Sequence, residues 1–346
     1  MKENSSKIVI LVQAPADIPY VLDIVSKHEG AELFVYVIQV ENNYKLLKLL
    51  IADKVHLEYI PYPFIGYNSI KKILRSKKEF SNIWNKQFKT ISKQSSDVFF
   101  FSIFEDAFTG YLIGRLSRNK HVNIHYVNHY NPPKSSLRFN DILRCIVFNT
   151  VLFYITRAYF SITYWGKFPK LSLKHYKNIV EEKKELVSLD LNSFLFSVER
   201  LPAALFLVNP RYDVCGFDFD DSIEKLKQTA IALKKMGLII YVKGHPRMGL
   251  PKELSGVYDE RIEDYVISEL IDYSKFSIIV GCESTAIAHA ALEKKNATVS
   301  ILPMLKIVNE EKFRRSNEYL KTQSHNNIRF VKTIDEILSI YENRSN

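Results

Sequence analysis

Cysteine is scarce in this chain. Its 346 residues include only Cys145, Cys215 and Cys282, which lie far apart and form no C-x-x-C pair. This spacing argues against a disulfide framework and against a structural zinc site. It predicts reduced, buried thiols in a cytoplasmic protein.

Long apolar runs are lacking as well. The run Ile8–Val12 ends before Pro15 and is too short for a signal sequence or a membrane span. The most apolar stretch, Ile142–Trp165, is interrupted by Arg144 and Arg157, whereas a spanning helix needs about 20 apolar residues. We expect a buried first strand and, in the second stretch, a core helix followed by a strand. A helix lying on a membrane surface is the alternative for the second stretch.

Positive charge, in contrast, is in excess. The chain has 48 Lys and Arg against 38 Asp and Glu, a net charge of +10. Hydrophobic residues make up 47% and charged residues 25%, an ordinary globular composition that excludes a mainly disordered chain, a collagen and a coiled-coil rod. The length suggests two domains, and the charge predicts an anionic partner such as nucleic acid, a nucleotide, a lipid headgroup or an acidic glycan.

Most of this surplus lies in the segment Ile70–Gln94. Its charged residues are Lys71, Lys72, Arg75, Lys77, Lys78, Lys86, Lys89 and Lys93, against Glu79. Apolar residues lie among them at helical spacing, which predicts a core helix with a basic, solvated face. The functional alternative is a surface for an anionic acceptor or for the inner leaflet of a membrane.

Runs of apolar, β-branched residues alternate with amphipathic segments, as is typical of α/β proteins with buried parallel sheets. The predicted strands are Ile8–Val12, Leu33–Val40, Val55–Ile60, Val98–Phe104, Val122–Val127, Tyr159–Tyr164, Leu205–Val208, Leu238–Val242, Phe276–Val280 and Ala297–Ile301. The predicted helices include Tyr20–His28, Tyr44–Ala52, Phe108–Leu116, Ser222–Met236, Val266–Tyr273, Ser284–Leu292 and Ile334–Tyr341. The pattern predicts two doubly wound, Rossmann-like α/β domains in tandem.

The alternation breaks once, at Ser172–Arg200, a segment rich in Lys and Glu without a clear strand. We therefore expect a first domain over residues 1–171 and a linker over residues 172–200. A second domain over residues 201–330 and a C-terminal helix over residues 331–346 complete the prediction.

Polar residues follow two predicted strands of the second domain, where open parallel sheets bind ligands. Lys243-Gly244-His245-Pro246 follows one strand, and Gly281-Cys282-Glu283-Ser284-Thr285 follows the other and opens a helix. The N–H groups at Ser284 and Thr285 and the positive end of the helix suit a phosphate. Gly281 allows close backbone approach, and Lys243 and His245 add charge and hydrogen-bond donors. The two segments predict a nucleotide-phosphate site.

Simpler interpretations exist for each part. Ser284 is also a good helix N-cap, and Pro246 suits a turn. The D-x-D-like stretch Asp218-Phe219-Asp220-Asp221 precedes a predicted helix, where aspartate is expected as a cap rather than as a metal ligand.

The two segments carry a resemblance over residues 203–300. K-G-H-P after a strand, followed by G-x-E-S-T, resembles the HP and S-S/T motifs of bacterial sialyltransferases and polysialyltransferases. The resemblance implies a GT-B fold with an acceptor-side first domain and a nucleotide-sugar-binding second domain. It also implies a CMP-activated donor, with no metal or other cofactor.

The same resemblance assigns roles to individual residues. His245 would contact the donor phosphate and assist departure of CMP, while Ser284 and Thr285 would bind the phosphate, next to Lys243, Gly244, Pro246 and Gly281. Glu269, in Val266-Ile267-Ser268-Glu269-Leu270, is the best match to a glutamate that contacts the nucleotide ribose; a solvated helix face is its alternative.

An inverting transfer also needs a general base for the acceptor hydroxyl. The resembling family uses an acidic D/E-D/E-G motif, of which Glu105-Asp106-Ala107 is the nearest copy, with alanine in place of glycine. His129, after the next predicted strand, is the alternative base, because a neutral imidazole suits that role near pH 7. Asp106 and His129 therefore both stay open, and Glu105 and Asp106 could instead be charges at a helix N-terminus.

The leading hypothesis is a glycosyltransferase that moves sialic acid, a related nonulosonic acid or Kdo onto a capsule or lipooligosaccharide acceptor. A CDP-glycerol-type polyol-phosphate transferase, which also carries an HP element, is the nearest alternative. A basic nucleic-acid-binding protein is the alternative of another class, but the sequence has no helix-turn-helix, zinc-finger, KH or RRM signature. A non-catalytic nucleotide-binding protein also stays open. The enzyme hypothesis predicts a cytoplasmic protein, with contact to an anionic membrane through residues 70–94 and no nucleic-acid partner.

Overall fold

Two compact units, Met1–Leu189 and Asp190–Asn346, make up the chain in a computed structural model. The structure describes residues 7–62, 70–91, 96–101, 107–128, 139–157, 160–161, 170–171, 175–183, 196, 198, 200–209, 216–246, 248–293 and 297–345. The division between the units falls inside the segment predicted to connect two domains.

The first unit is built on a six-stranded parallel sheet. Its strands are β1 (Lys7–Val12), β2 (Leu33–Ile38), β3 (His56–Ile60), β4 (Ser96–Phe100), β5 (Val122–Asn128) and β8 (Ile179–Lys183), in the spatial order β3-β2-β1-β4-β5-β8. A separate antiparallel pair is formed by β6 (Phe160–Ser161) and β7 (Lys170–Leu171). The helices are α1 (Ile18–Lys27), α2 (Glu41–Ile51), α3 (Ile70–Ile83), α4 (Ala107–Leu116) and α5 (Phe139–Thr156).

Aromatic side chains fill the core between this sheet and α3 and α4. The rings of Phe80, on α3, and Phe108, on α4, have centroids 5.5 Å apart, and Tyr62 and Tyr111 pack against them. Phe80 and Phe108 are fully buried. Phe80, Trp84, Phe88 and Ile91 of the basic segment are buried, as helical spacing predicts, whereas the described lysines of the segment are exposed.

The second unit repeats the architecture. Its strands are β9 (Ala203–Leu207), β10 (Ile239–Lys243), β11 (Glu260–Ile262), β12 (Ile278–Gly281), β13 (Thr298–Ser300) and β14 (Arg329–Phe330), in the parallel order β11-β10-β9-β12-β13-β14. The helices are α6 (Phe219–Lys235), α7 (Thr285–Glu293), α8 (Glu310–Gln323) and α9 (Ile334–Ser345). Both sheets have the strand order of doubly wound dinucleotide-binding folds, which confirms the predicted fold class.

Three sequence predictions about elements are wrong. The segment Ser172–Arg200 does contain a strand, β8, which pairs with β5. The described residues of Tyr159–Tyr164, Phe160 and Ser161, form β6, which pairs antiparallel with β7 and does not join the parallel sheet, whose sixth strand is β8. The predicted helix Val266–Tyr273 is instead a pair of short 3₁₀ turns, Ser268–Leu270 and Tyr273–Lys275.

The apolar stretch Ile142–Trp165 does contain the predicted helix, but Leu143, Ile146, Val147 and Tyr154 are exposed on it, so the helix is not wholly a core helix. This helix, α5, is followed by β6. Among the residues that the structure describes, no helix is both long and apolar enough to cross a membrane.

Candidate functional site

The carboxyl ends of three neighbouring strands are level with one another in the second unit. Lys243, at the end of β10, lies beside Leu207 of β9, and Gly281, at the end of β12, lies on the other side of Leu207. Strand order reverses between β9 and β12, which is where doubly wound sheets bind their ligands. The two polar segments found in the sequence therefore leave the sheet at the same edge, one strand apart.

Ser284 caps the helix that opens this edge. Its Oγ accepts a hydrogen bond from the backbone N–H of Ile287 at 3.2 Å, and α7 begins at the next residue. The predicted N-cap role is thereby confirmed. The cap uses one of the N–H groups that have no partner inside the helix, and the positive end of the α7 dipole still points to the sheet edge.

Thr285 is exposed at the first position of α7. Tyr319, on α8, hydrogen-bonds with the Thr285 side chain; burial raises the pKa of Tyr319, and this hydrogen bond opposes the rise. The hydroxyl of Thr285 therefore lies between the helix end and α8.

Two glycines allow the backbone at this edge to pack closely. A Cβ on Gly244 would come within 2.7 Å of the Gly249 carbonyl carbon and 2.8 Å of the Leu250 nitrogen. A Cβ on Gly281 would come within 3.0 Å of the Leu207 carbonyl oxygen. A side chain is therefore excluded by backbone atoms at Gly244 and fits only tightly at Gly281.

Lys243 is buried, and its ammonium group is used inside the protein. Nζ donates to the carbonyl oxygen of Gly244 at 2.7 Å and to that of Asp264 at 3.3 Å. Burial lowers the pKa of Lys243 to about 8, although the charges of Asp264 and Glu269 act to raise it. Lys243 thus ties the loop after β10 to the loop after β11.

His245 lies in a tight loop that returns at Gly249. The backbone N–H of His245 donates to the Gly249 oxygen at 3.0 Å, and the Gly249 N–H donates to the His245 oxygen at 2.8 Å. Pro246 occupies the turn, as its sequence position predicts, and Gly249 has a φ of 71° that favours glycine. The His245 side chain is half-buried at the sheet edge.

Glu269 lies on a 3₁₀ turn rather than on the face of a helix. The Ser268 hydroxyl donates to Glu269 Oε2 at 2.8 Å. The charge of Glu269 also acts on the pKa of two buried groups, raising that of Lys243 and that of Tyr273. The glutamate is therefore electrostatically coupled to the lysine at the end of β10.

The structure adds Asn209 and Glu283, which sequence reasoning did not select. Asn209 follows β9, and its Nδ2 donates to the Glu283 carbonyl oxygen at 3.0 Å and contacts Glu283 Oε2 at 3.4 Å. This contact joins the loop after β9 to the loop before α7. The sequence does contain a pattern that could have identified Asn209, because it is the polar residue that follows the apolar run ending at Val208.

Asp218 is a helix cap. Its Oδ1 accepts from the backbone N–H of Asp221 at 3.1 Å, and its Oδ2 lies 3.6 Å from Lys306 Nζ. The backbone N–H of Lys306 donates to Asp221 at 2.7 Å. The expected capping role of the D-x-D-like stretch is thus confirmed. The described part of the chain contains no group of three His, Cys, Asp or Glu side chains arranged to hold a metal ion.

Cys282 is a free, buried thiol, as predicted. Burial raises the pKa of Cys282 to about 12, which makes the thiol unreactive near neutral pH. Although Cys282 lies between Gly281 and Glu283, its side chain is therefore part of the core and not a nucleophile.

Glu105, Asp106 and His129 lie outside the described residues. Their neighbours in the chain are Ala107, which begins α4, and Asn128, which ends β5.

No protein-family model and no curated protein sequence matches the chain. Among solved structures, Acinetobacter baumannii MurG is 12% identical, with a TM-score of 0.41 over 98% of this chain and 91% of its own. A glycosyl transferase family 9 protein from Veillonella parvula is 9% identical, with a TM-score of 0.41 over 99% and 98%. A UDP-N-acetylglucosamine 2-epimerase is 11% identical, with a TM-score of 0.40 over 94% and 91%. Similarity this low carries no argument about activity or ligand.

Proposed function

We propose that the chain is a glycosyltransferase whose second unit binds a nucleotide-activated sugar by its phosphate. One observation carries the proposal: Lys243, Leu207 and Gly281 are level on adjacent strands, so that the His245 loop and the N-terminus of α7 meet at one sheet edge. A helix N-terminus and a histidine at a strand switch point suit an anionic phosphate. Gly281 packs tightly against the Leu207 carbonyl oxygen, which keeps the loop before α7 close to the end of β9.

In this proposal the bond between the anomeric carbon and the donor phosphate oxygen breaks as the acceptor oxygen attaches. The nucleotide leaves as a phosphate monoester anion. Donors aimed at this anion stabilise its developing charge, and His245 supplies a proton or a hydrogen bond to the departing oxygen. The acceptor proton passes to a base, for which Asp106 and His129 are the candidates. Lys243 acts by holding the His245 loop, because its ammonium is bonded to two backbone carbonyls.

For the donor we propose CMP-sialic acid, a related nonulosonic acid or CMP-Kdo, and for the acceptor a surface glycan such as a capsule or lipooligosaccharide. Glu269 is proposed to accept hydrogen bonds from the ribose hydroxyls. The K-G-H-P and G-x-E-S-T segments support this choice. A CDP-glycerol-type enzyme would break a phosphorus–oxygen bond instead and release CMP from a CDP donor, so product analysis with each donor separates the two.

Ligand-dependent thermal shifts test the site. We expect CMP to raise the unfolding midpoint of the native chain, whereas UDP, GDP and an oligonucleotide do not. The CMP shift should be lost in Ser284→Ala. The matched control is Asn309→Ala, which removes the cap of α8, where Asn309 Oδ1 accepts from the Lys312 N–H at 3.0 Å. This control should lower the midpoint similarly but keep the CMP shift. Stabilisation by the oligonucleotide alone would refute the proposal.

Turnover separates the two candidate bases. Asp106→Ala or His129→Ala should slow transfer by about a hundredfold or more, whichever residue is the base. The other substitution should leave the rate within a few-fold of the native value. If neither slows the reaction, the base is another residue and this mechanism is wrong.

A further inference from the structure

An apolar stripe runs along the outside of the first unit. Leu143, Ile146, Val147 and Tyr154 on α5 are each between 48% and 59% exposed, and Leu74 on α3 is 47% exposed. Their spacing along α5 places them on one helix face, and α3 packs against α5. A grouped set of exposed apolar side chains on a water-facing surface indicates an interaction site.

Basic residues border this stripe. Those exposed on α3 are Lys71, Lys72, Arg75, Lys77 and Lys78. Lys77 Nζ lies 4.9 Å from the centroid of the Tyr154 ring, and the Arg157 guanidinium lies 5.6 Å from the same ring. The aromatic ring therefore joins the apolar stripe and the basic face into one surface, which we call the α3–α5 surface.

We propose that the α3–α5 surface docks on a bilayer that contains anionic phospholipid. Apolar side chains that enter the boundary between headgroups and acyl chains, ringed by lysines that meet the headgroups, form an interfacial membrane site. The charge alone predicted contact through residues 70–94; the structure assigns the apolar part of that contact to α5. The inference does not depend on the proposed function, because every residue of the surface lies in the first unit.

Two other occupants fit the surface less well. A second copy bound about a twofold axis would bring the same basic surface to both sides of the interface, and like charges repel. Nucleic acid would use the lysines but would leave Leu143, Ile146 and Val147 without a partner, since phosphate and base contacts are mainly polar or aromatic.

Vesicle co-sedimentation of the full chain tests the proposal. We expect the protein to pellet with vesicles of phosphatidylcholine and phosphatidylglycerol and to stay largely in solution with phosphatidylcholine alone. Neutralising Lys77 and Lys78 together (K77Q/K78Q) should weaken binding by tenfold or more, since each basic residue near the surface contributes about a fivefold factor. The control K54Q/K235Q makes the same charge change at exposed lysines outside the surface and should bind nearly as the native chain does.

The apolar part has its own variants. Replacing Ile146 and Val147 by serine (I146S/V147S) changes no charge and should weaken binding to the anionic vesicles by tenfold or more. The control L49S/I231S makes the same kind of change at residues that are 64% and 52% exposed on α2 and α6, and it should bind as the native chain does. Circular dichroism of each variant checks that the fold is intact.

Fluorescence locates the surface in the bilayer. In Tyr154→Trp the added indole should be quenched by phospholipids brominated on their acyl chains, whereas in Leu49→Trp it should not. No pelleting with anionic vesicles, or native binding by I146S/V147S, would overturn the proposal. Loss of binding only in K77Q/K78Q would also overturn it, because it would indicate an anion site that acts by charge alone.

Discussion

Lys243 brings a positive charge into the interior of the second unit, and the stability of the protein should depend on pH as a result. Burial lowers its pKa to about 8. A lysine in the unfolded chain titrates near 10.4, so between about pH 8 and 10.4 the unfolded state binds more protons than the native state. The contribution of this group to stability therefore rises with pH in that window and is lowest below about pH 8.

Lys243→Met removes this titration and keeps an apolar stem of similar length. The free energy of unfolding of the native chain minus that of the variant should rise between about pH 8 and 10, by up to about 1.4 kcal/mol per pH unit. Urea unfolding at pH 7, 8, 9 and 10 measures the difference. Lys235→Met, at an exposed position of α6, is the control, and its difference should stay level. A level difference for Lys243→Met as well would contradict the pKa assignment.

Gly244 is the second residue with a sharp expectation. Because a Cβ there would meet backbone atoms of Gly249 and Leu250 within 2.8 Å, Gly244→Ala must displace the His245 loop. We expect a loss of about 1–3 kcal/mol in urea unfolding, the usual range for overpacking. Gly281→Ala, whose closest contact is 3.0 Å, should cost less. If Gly244→Ala and the native chain have the same free energy of unfolding, the His245 loop can move to make room for a methyl group at no cost.

At this scale the sequence predicted the capping residues well and the contacts between loops poorly. Ser284 was predicted as an N-cap, and the stretch Asp218-Phe219-Asp220-Asp221 was expected to supply another, which proved to be Asp218. Such caps are predictable because each bonds to an N–H three residues away. The contact of Asn209 with Glu283 spans 74 residues, and that of Lys243 with Asp264 spans 21. Contacts of this kind depend on which strands are neighbours, and local sequence does not contain that information.

Among the elements, the buried strands and the edge strand β3 were predicted from sequence, whereas the other three edge strands, β8, β11 and β14, were not. Continuous apolar runs such as the one in β9 indicate a strand covered on both faces. Strand β8 reads Ile-Val-Glu-Glu-Lys, because it lies at the sheet edge and is partly exposed. Strands β11 and β14, with three and two residues, are too short to leave a periodic signal.

Helices, like strands, were predictable from sequence only where one face is well buried. Only Ser316 and Leu320 are buried in α8, so its sequence shows little apolar periodicity. The helix predicted at Val266–Tyr273 was wrong for the opposite reason, because here a helical apolar pattern occurs without a helix. Its apolar residues are buried at helical spacing, but Asp272 caps the second 3₁₀ turn, and a bridge between Ile271 and Phe196 fixes an extended backbone between the turns.

The side chain of Asn178 should be decisive for strand β8. Its Nδ2 donates to the Val122 carbonyl oxygen at 2.9 Å and to that of Asn119 at 3.3 Å, directly before β8 begins. Asn178→Ala leaves these carbonyl groups without this donor, and we expect it to cost about 1–3 kcal/mol in urea unfolding. Asn123→Ala, which removes an exposed side-chain contact to Asp97 on the same sheet, is the control and should cost well under 1 kcal/mol. Similar losses for both would mean that Asn178 does not anchor the strand.

For the whole molecule, positive charge and the candidate phosphate site lie in different units. The exposed lysines of α3 belong to the first unit, whereas the phosphate site uses a few groups at one sheet edge of the second. The net charge of +10 is therefore not evidence for a nucleotide site, because most of the excess lies in the other unit. A ligand of that site should act on the second unit alone.

Calorimetry can test this separation, because each unit has its own sheet and core and should give its own unfolding transition. Asn178→Ala should lower the midpoint of one transition. Leu233→Ala, at a fully buried position of α6, should lower the other by removing about 2–5 kcal/mol of packing. CMP at a hundred times its dissociation constant adds about 2.7 kcal/mol to the state that binds it. CMP should therefore raise only the midpoint of the second unit, which is the transition that Leu233→Ala lowers. If CMP instead raises the midpoint of the first unit, which Asn178→Ala lowers, the nucleotide binds the first unit. The phosphate site proposed at the β9–β12 edge would then be wrong.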